Sequence, residues 1–469
     1  MPTRHPTART APPHPAEKRV LARSGRRQSP RAVAAQVVAR TLDEAAFGSL
    51  TLRHALSDAQ LEPRDTAFAT ELVYGTLTWL RPVDHVLEAW LTQGMQSLPP
   101  IARSVLRVGA YELLRADRPA APHAAVGEAV EAMRQLGLPH LAGLCNAVLR
   151  RVSEFGEPIA ARCDSGSIPQ LAATGSIPDW LAERLVAQRG LTGAAAAVDR
   201  WNGTGAMHLR LRPTAEEESV RAALEAAGLE VSAHPWMARC LVVRGGNPLI
   251  RCPELKDHLA VMDAAAQAVV RVAVGQQAVH RAWDVCAGLG SKSLALADAL
   301  PDASILSTDI HEPKLRAASR ALKGVPSART LAHDATLGPP PGDGDFDLVL
   351  LDAPCSGLGT IGRHPEIRWR RTPDDIAQAA ALQRRLLAAA ADAVGVGGRL
   401  VYAVCSWTPD ESTAIVEAFL QSRSDFEPTH DEAPLSGATP PGSTGTGLTL
   451  WPDLHACDGF FVAGLRRVC

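Results

Sequence analysis

No two of the nine cysteines fall in a C-x-x-C spacing; they stand at positions 145, 163, 240, 252, 286, 355, 405, 457 and 469. That scatter has no zinc-type ligand spacing and offers no disulfide framework, so each thiol is read singly in a chain expected to be kept reduced. No apolar run approaches the ~20 residues of a membrane-spanning helix. No apolar stretch follows the basic N-terminal segment either, so a secretory signal is not expected. These absences predict a soluble cytoplasmic protein that uses neither membrane nor metal. Net charge is nearly absent too: 48 Lys and Arg against 50 Asp and Glu leave −2. A nucleic-acid partner is therefore not announced globally, and any basic footprint must be local. Aromatics are scarce, at 4% of residues. The abundant alanine blurs helix periodicity, because it sits on either face.

What is present suffices for a large core: 469 residues, 46% of them hydrophobic, long enough for about three domains. Residues 1–30 read as a basic disordered tail. Through Arg31 the segment holds seven Arg, one Lys and six Pro against the single acid Glu17, so it is either a solvated terminus or a phosphate-attracting arm. Residues 31–155 read as an all-helical domain. Turn signals fall at Glu62-Pro63, Leu98-Pro99-Pro100 and Arg118-Pro119, and Leu72, Val73, Leu77 and Leu80 recur at helical spacing. A Gly/Ser/Ala-rich stretch, 163–176, reads as a linker. Residues 176–254 read as a small α+β domain, with strands at 207–212, 229–232 and 240–244 and a helix opened by a capping box at Thr214-Ala-Glu-Glu217.

From 255 to 469 the rhythm is strand–helix alternation, the pattern of a doubly wound, Rossmann-like parallel sheet. Strands are expected at 282–285, 304–308, 346–351 and 399–404, and a last one at 459–465. Helices are expected near 292–300, 313–323, 373–394 and 410–421. Thr372 and Thr408 are each followed by Pro and by an acid three residues on, a helix-start signal.

Three segments carry chemistry. Asp284-Val-Cys-Ala-Gly-Leu-Gly-Ser-Lys292 leads from a strand through a glycine turn into a helix, whose free N–H groups suit an anion. Asp309, 23 residues past Cys286, ends the next strand, where an acid can hold ribose hydroxyls. The pair implies a nucleoside-type cofactor without deciding between a dinucleotide and S-adenosylmethionine. The second segment, Phe346-Asp-Leu-Val-Leu-Leu-Asp352-Ala-Pro-Cys355-Ser-Gly, delivers Asp352 and Cys355 to a strand's carboxyl end. The third, Arg399-Leu-Val-Tyr-Ala-Val-Cys405-Ser-Trp-Thr-Pro409, does the same with Cys405. Ligands of open α/β sheets bind at that edge. One cysteine there is more often a small core residue; two at matching positions point to function.

A thiol is what carbon-5 methylation of cytosine needs. Carbon 5 is a poor nucleophile until a thiolate adds at carbon 6 and makes the ring enamine-like. An acid at ring nitrogen 3, for which Asp352 is the right type, stabilises the developing charge. Thr408, as a helix cap three residues past Cys405, would let the helix dipole favour the thiolate. The base must be unstacked to meet it. Arg363-His-Pro-Glu-Ile-Arg368-Trp369-Arg370-Arg371 follows the second segment. Its four arginines and tryptophan suit phosphate contact and base stacking, the competing reading being a solvated loop with one packed Trp.

Asp352-Ala-Pro-Cys-Ser-Gly357, and Cys405-Ser406 with Pro409, resemble two motifs of the RNA 5-methylcytosine methyltransferases; Met262-Asp-Ala-Ala-Ala-Gln267 and Asp458-Gly-Phe-Phe-Val462 resemble further segments of them. Arg64-Asp65, Glu71-Leu-Val-Tyr-Gly-Thr-Leu77 and Asn146-Ala-Val-Leu-Arg-Arg151 resemble a NusB-like RNA-binding domain. The fusion resembles the bacterial RsmB (Sun/Fmu) type across nearly the whole chain beyond the basic tail. The resemblance implies S-adenosyl-L-methionine as cofactor and RNA, above all 16S ribosomal RNA, as partner. It implies cofactor contacts at Cys286, Ala287, Gly288, Leu289, Gly290, Ser291, Lys292, Asp309, Asp334 and Asp352. By the same carry-over Cys405 is the nucleophile and Cys355 assists product release. The sequence departs from the family in two places. Gly288-Leu-Gly-Ser-Lys292 stands where the family has Ala-Pro-Gly-Gly-Lys, and Val404 where it has Thr. The alternatives are the same chemistry on transfer RNA or another RNA, and a non-catalytic NusB-like RNA-binding or assembly factor.

Overall fold

The computed structural model describes residues 28–44, 48–115, 121–159, 162–203, 205–342, 344–429, 443–444 and 446–469. The basic tail as far as residue 27, and the turn at Arg118-Pro119, lie outside them. The chain divides into two compact units. One runs to Pro178 and includes His364–Arg370; the other holds Asp179–Arg363 and Arg371–Cys469.

The first unit is helical, as its pattern predicts. Helices Pro30–Asp43, Pro63–Thr78, Pro100–Leu114 and Pro122–Gln135 all start on a proline, whose fixed φ and missing N–H fit the first turn. The Ser29 hydroxyl caps the first of them by accepting from the Ala32 N–H at 3.2 Å. Leu72, Val73 and Leu77 join one core with Leu106, Met133 and Leu149. The linker expectation for 163–176 is corrected: Ile168–Thr174 is a short helix, capped by Ser167 and carrying Pro169 in its first turn. A serine-proline start signal outweighs Gly/Ser composition there.

In the second unit, β1 (Met207–Leu211), β2 (Glu230–Ala233), β3 (Cys240–Arg244) and β4 (Leu259–Val261) form an antiparallel sheet in the order β2-β3-β1-β4. Its fourth strand lies beyond residue 254. The capping box expected at Thr214 does not form. Glu216 caps the helix Glu217–Ala226 instead, accepting from Ser219 N–H at 2.6 Å.

A nine-stranded sheet follows. Its parallel part consists of β5 (Arg281–Asp284), β6 (Ser304–Asp309), β7 (Ala328–Ala332), β8 (Phe346–Asp352) and β9 (Val394–Val404). The remaining strands are β10 (Phe426–Thr429), β11 (Ser443–Thr444), β12 (Gly447–Leu450) and β13 (Phe460–Arg467). β13 closes antiparallel on β9 and pairs β12 and β10 with its other edge. The order β7-β6-β5-β8-β9 puts the reversal of winding between β5 and β8. Crevices at such a reversal are where doubly wound sheets hold ligands. Strands β8 and β9 are buried on both faces, with Leu348, Val349, Leu350, Leu400, Val401 and Tyr402 all at 0% exposure, which is why they read as unbroken apolar runs.

Candidate active site

The loop after β5 enters helix Ser291–Ala299 through Gly288 and Gly290, at φ +57° and +85°. Space is open where a Cβ would stand on Gly288, whereas one on Gly290 would lie 2.8 Å from Ala318 Cα. The two glycines take the left-handed positions, so Ser291 stands inside the helix, where a second glycine is not required.

Asp309, at the end of β6, accepts from Gly288 N–H at 3.1 Å and His311 N–H at 2.8 Å. That ties the glycine loop to the second strand and leaves lone pairs for hydroxyl groups. Leu289 and Ile310 flank it with 66% and 60% of their surface exposed, apolar walls that suit a flat ring. Ile310 escaped sequence reading, although its place directly after the strand-end acid was a usable signal. Asp334 follows β7 and accepts from Thr336 N–H at 3.0 Å and its hydroxyl at 2.7 Å; these bonds hold its pKa below the usual carboxylate value. Cys286 packs against the apolar core, and burial pushes its thiol up. Together the loop, Asp309 and Asp334 could hold a nucleoside. Among the described residues no group of three or more His, Cys, Asp or Glu could hold a metal ion, and no helix is long and apolar enough to cross a membrane.

The other half of the site converges from β8 and β9. Cys355 and Cys405, 50 residues apart, bring their sulfurs to 3.2 Å, each partly accessible. Lys292, almost fully buried at 8% exposure, reaches Asp352 Oδ2 at 2.6 Å. Burial alone would push the Lys292 pKa down; the Asp352 carboxylate more than reverses it, and the ammonium stays charged. The contact between the two thiols moves their pKa values apart. Cys405 is pulled down by the hydrogen bond from Cys355, against burial and the Asp352 carboxylate, with help from the Lys292 charge. Cys355 is pushed well up by the same hydrogen bond and by burial.

The helix-dipole expectation for Cys405 is corrected. Thr408 leads into a three-residue turn, Pro409–Glu411, and the α-helix begins only at Thr413, after a break at Ser412. The helix that follows Cys405 thus starts eight residues on, and Cys355 and Lys292 are what lower its pKa. Glu411, expected as a helix-start acid, turns inward and is fully buried.

Backbone contacts pin the arrangement. Gly359 N–H donates to Cys405 O at 3.0 Å, and Gly459 N–H to Gly359 O at 2.8 Å. A Cβ on Gly359 would stand 1.8 Å from Gly459 O, so the turn after Cys355 requires glycine.

The arginine segment divides. Arg363 pairs with Asp458 while staying partly exposed, and Arg370 is half-buried. Arg371 donates to Ser356 O at 2.7 Å and so braces the Cys355 loop. The expectation fails for Arg368. Fully buried, it donates to Thr78 O and Ser176 O at 3.4 and 3.1 Å, and burial pushes its pKa down to about 9. Without accessible surface a guanidinium cannot meet a phosphate. Trp369 donates to Leu77 O at 2.6 Å, which spends its N–H on the helical unit.

Comparison with known proteins agrees with this geometry. The profile of the family described as 16S rRNA methyltransferase RsmB/F matches residues 273–466, and that of the NusB family matches residues 28–154. The chain is 33% identical over 454 residues to ribosomal RNA small subunit methyltransferase B of Thermus thermophilus, covering 94% of this chain and 98% of the relative. It is 32% identical over 432 residues to the probable ribosomal RNA small subunit methyltransferase B of Synechocystis, covering 90% and 95%. Among solved structures, PH0851 superposes with a TM-score of 0.77 at 24% identity, covering 93% of this chain and 99% of that one. NSun6 from Pyrococcus horikoshii with SFG gives 0.55 at 18%, covering 62% and 98%. Both structural likenesses concern the fold.

Proposed function

The chain belongs to the 16S rRNA methyltransferase RsmB/F family, and from that premise we propose that it methylates carbon 5 of a cytosine in 16S ribosomal RNA with S-adenosylmethionine, through a covalent adduct to Cys405. The single observation that carries the mechanism is the pair of sulfurs at 3.2 Å, with the Lys292 charge favouring the thiolate of Cys405.

The cofactor reading is supported by the fit of the first half of the site. The open face of Gly288, the Asp309 carboxylate and the exposed Leu289 and Ile310 match a nucleoside with ribose hydroxyls. S-adenosylmethionine supplies an electrophilic methyl group on a sulfonium.

The protein's own residues do the rest. The Cys405 thiolate adds to carbon 6 of the flipped base, and the ring electrons move toward carbon 5. Asp352, fixed by Lys292, keeps a second oxygen for ring nitrogen 3; a proton taken up there from water as the thiolate adds, and returned to water when the ring is restored, offsets the developing charge. Once carbon 5 carries the methyl group, its proton leaves to water and the carbon–sulfur bond breaks. The electron pair of the lost C–H bond restores the ring, and the pair of the C–S bond returns to Cys405. The Cys355 S–H, donating to that sulfur, makes it a better leaving group.

Bisulfite sequencing of 16S RNA treated with the purified protein and cofactor tests the reading. One newly protected cytosine is expected, and none with Cys405→Ala. A wild-type protein that protects no cytosine in 16S RNA or in the small subunit sinks it.

A further inference from the structure

This inference rests on the methyltransferase reading and concerns the same site. Glu411 is at 0% exposure, and no ion pair to it occurs among the described residues. Its carboxylate accepts five hydrogen bonds. Oε1 takes Ser356 N–H at 2.7 Å and Gln383 Nε2 at 3.2 Å. Oε2 takes the hydroxyls of Ser356, Ser406 and Thr408 at 2.5, 2.7 and 3.0 Å. Ser356 follows Cys355 and Ser406 follows Cys405, so one carboxylate is bonded to the residue after each thiol. Gln383 also donates to Pro354 O at 2.9 Å, and the Tyr402 hydroxyl holds Glu411 O at 2.6 Å.

We propose that Glu411 is a positioning residue: its carboxylate clamps the Cys355 loop to the Cys405 loop and fixes the spacing of the two sulfurs. A local turn acid would be satisfied by Ser406 and Thr408, within five residues; the bonds to Ser356 span 55. The charge itself works against catalysis. Cys405 faces Cys355, Lys292, Asp352 and Glu411, and the Glu411 carboxylate pushes both thiols upward. A buried anion without a cation is costly, and here it also opposes thiolate formation. What it contributes is therefore geometric: reacting groups displaced by a few tenths of an ångström to one ångström lose rate steeply.

Full-length Glu411→Gln and Glu411→Asp separate shape from charge, with exposed Glu417→Gln as control. Three quantities are read: single-turnover methyl transfer, KM for RNA with the S-adenosylmethionine Kd, and the pH dependence of Cys405 alkylation by iodoacetamide. Glu411→Asp keeps the charge but loses reach. It is expected to transfer methyl at least about tenfold more slowly, with KM and Kd within about twofold and, because the Cys355 hydrogen bond that lowers Cys405 is stretched, alkylation at higher pH. Glu411→Gln replaces an acceptor by a donor opposite the same hydroxyls. It should slow transfer similarly while its alkylation falls at lower pH than that of Glu411→Asp, because the opposing charge is gone. Wild-type transfer rates in both variants would overturn the proposal, as would Kd rising as steeply as the rate falls. If neither variant folds, the Ser356→Ala/Ser406→Ala double variant decides: slow transfer with intact cofactor binding supports the clamp, and normal transfer overturns it. A wild-type enzyme inactive on cytosine would refute the methyltransferase chemistry instead.

Discussion

Lys292 Nζ lies 2.6 Å from Asp352 Oδ2, joining the first helix after the glycine loop to the end of β8. The pair spans the two halves of the site, and its cation is among the groups that hold the Cys405 pKa down. Lys292→Met removes that charge and leaves the Asp352 carboxylate facing the thiol. Both changes disfavour the thiolate, so Cys405 must titrate at higher pH than in the wild type. Iodoacetamide alkylation of Cys405 followed against pH, without RNA, checks the sign. An unmoved or acid-shifted profile would contradict this electrostatic account.

Arg368 provides a test of what the arginine segment does. Its hydrogen bonds to Thr78 O and Ser176 O are buried. Charged hydrogen bonds of this kind contribute about 1.5–3 kcal/mol each. Arg368→Met should lower the melting temperature yet leave the salt dependence of RNA binding unchanged, because no phosphate contact is lost. A smaller salt slope with unchanged stability would return Arg368 to the RNA surface.

How much of this was legible depends on how local each signal is. Strands β8 and β9 were readable because burial on both faces writes a continuous apolar run. The thiols were readable because each follows such a run. Thr372 and Thr408 carry the same local code, Pro next and an acid three residues on, and their fates differ. Thr372 forms the reciprocal box with Asp375. At Thr408 the acid is drawn inward by Ser356, 55 residues away, and the box gives way to a short turn. Arg368 failed as a phosphate ligand for the same reason, since its partner Thr78 is 290 residues distant. Spacing along the chain cannot encode a competition won by a distant hydroxyl or carbonyl.

Gly359 is the tightest point of the turn after Cys355, where it meets the Cys405 loop. An alanine there would set its Cβ 1.8 Å from Gly459 O, and backbone on both sides leaves nothing flexible to yield. Overpacking of this kind costs about 1–3 kcal/mol, occasionally more. Gly359→Ala should therefore melt lower and, because Gly359 N–H holds Cys405 O, lose methyl transfer more than cofactor affinity. Calorimetric binding of S-adenosylmethionine beside a single-turnover assay separates the two; equal losses would mean general unfolding.

The two cysteines can be told apart by what each leaves behind when removed. Cys405 is the thiol with the lowered pKa, and that of Cys355 is raised. If Cys405 attacks carbon 6, Cys405→Ala forms no adduct and transfers no methyl group. Cys355→Ala keeps the attacking sulfur and, because burial still opposes the thiolate, attacks more slowly. It also loses the S–H that assists departure, so product remains attached as a protein–RNA species stable to denaturing electrophoresis. Nuclease digestion and mass spectrometry of that species should find methylcytidine on the peptide containing Cys405. The reverse assignment predicts the trapped species in Cys405→Ala, with the nucleotide on Cys355. Full methylation by both single variants would remove the covalent route through this pair.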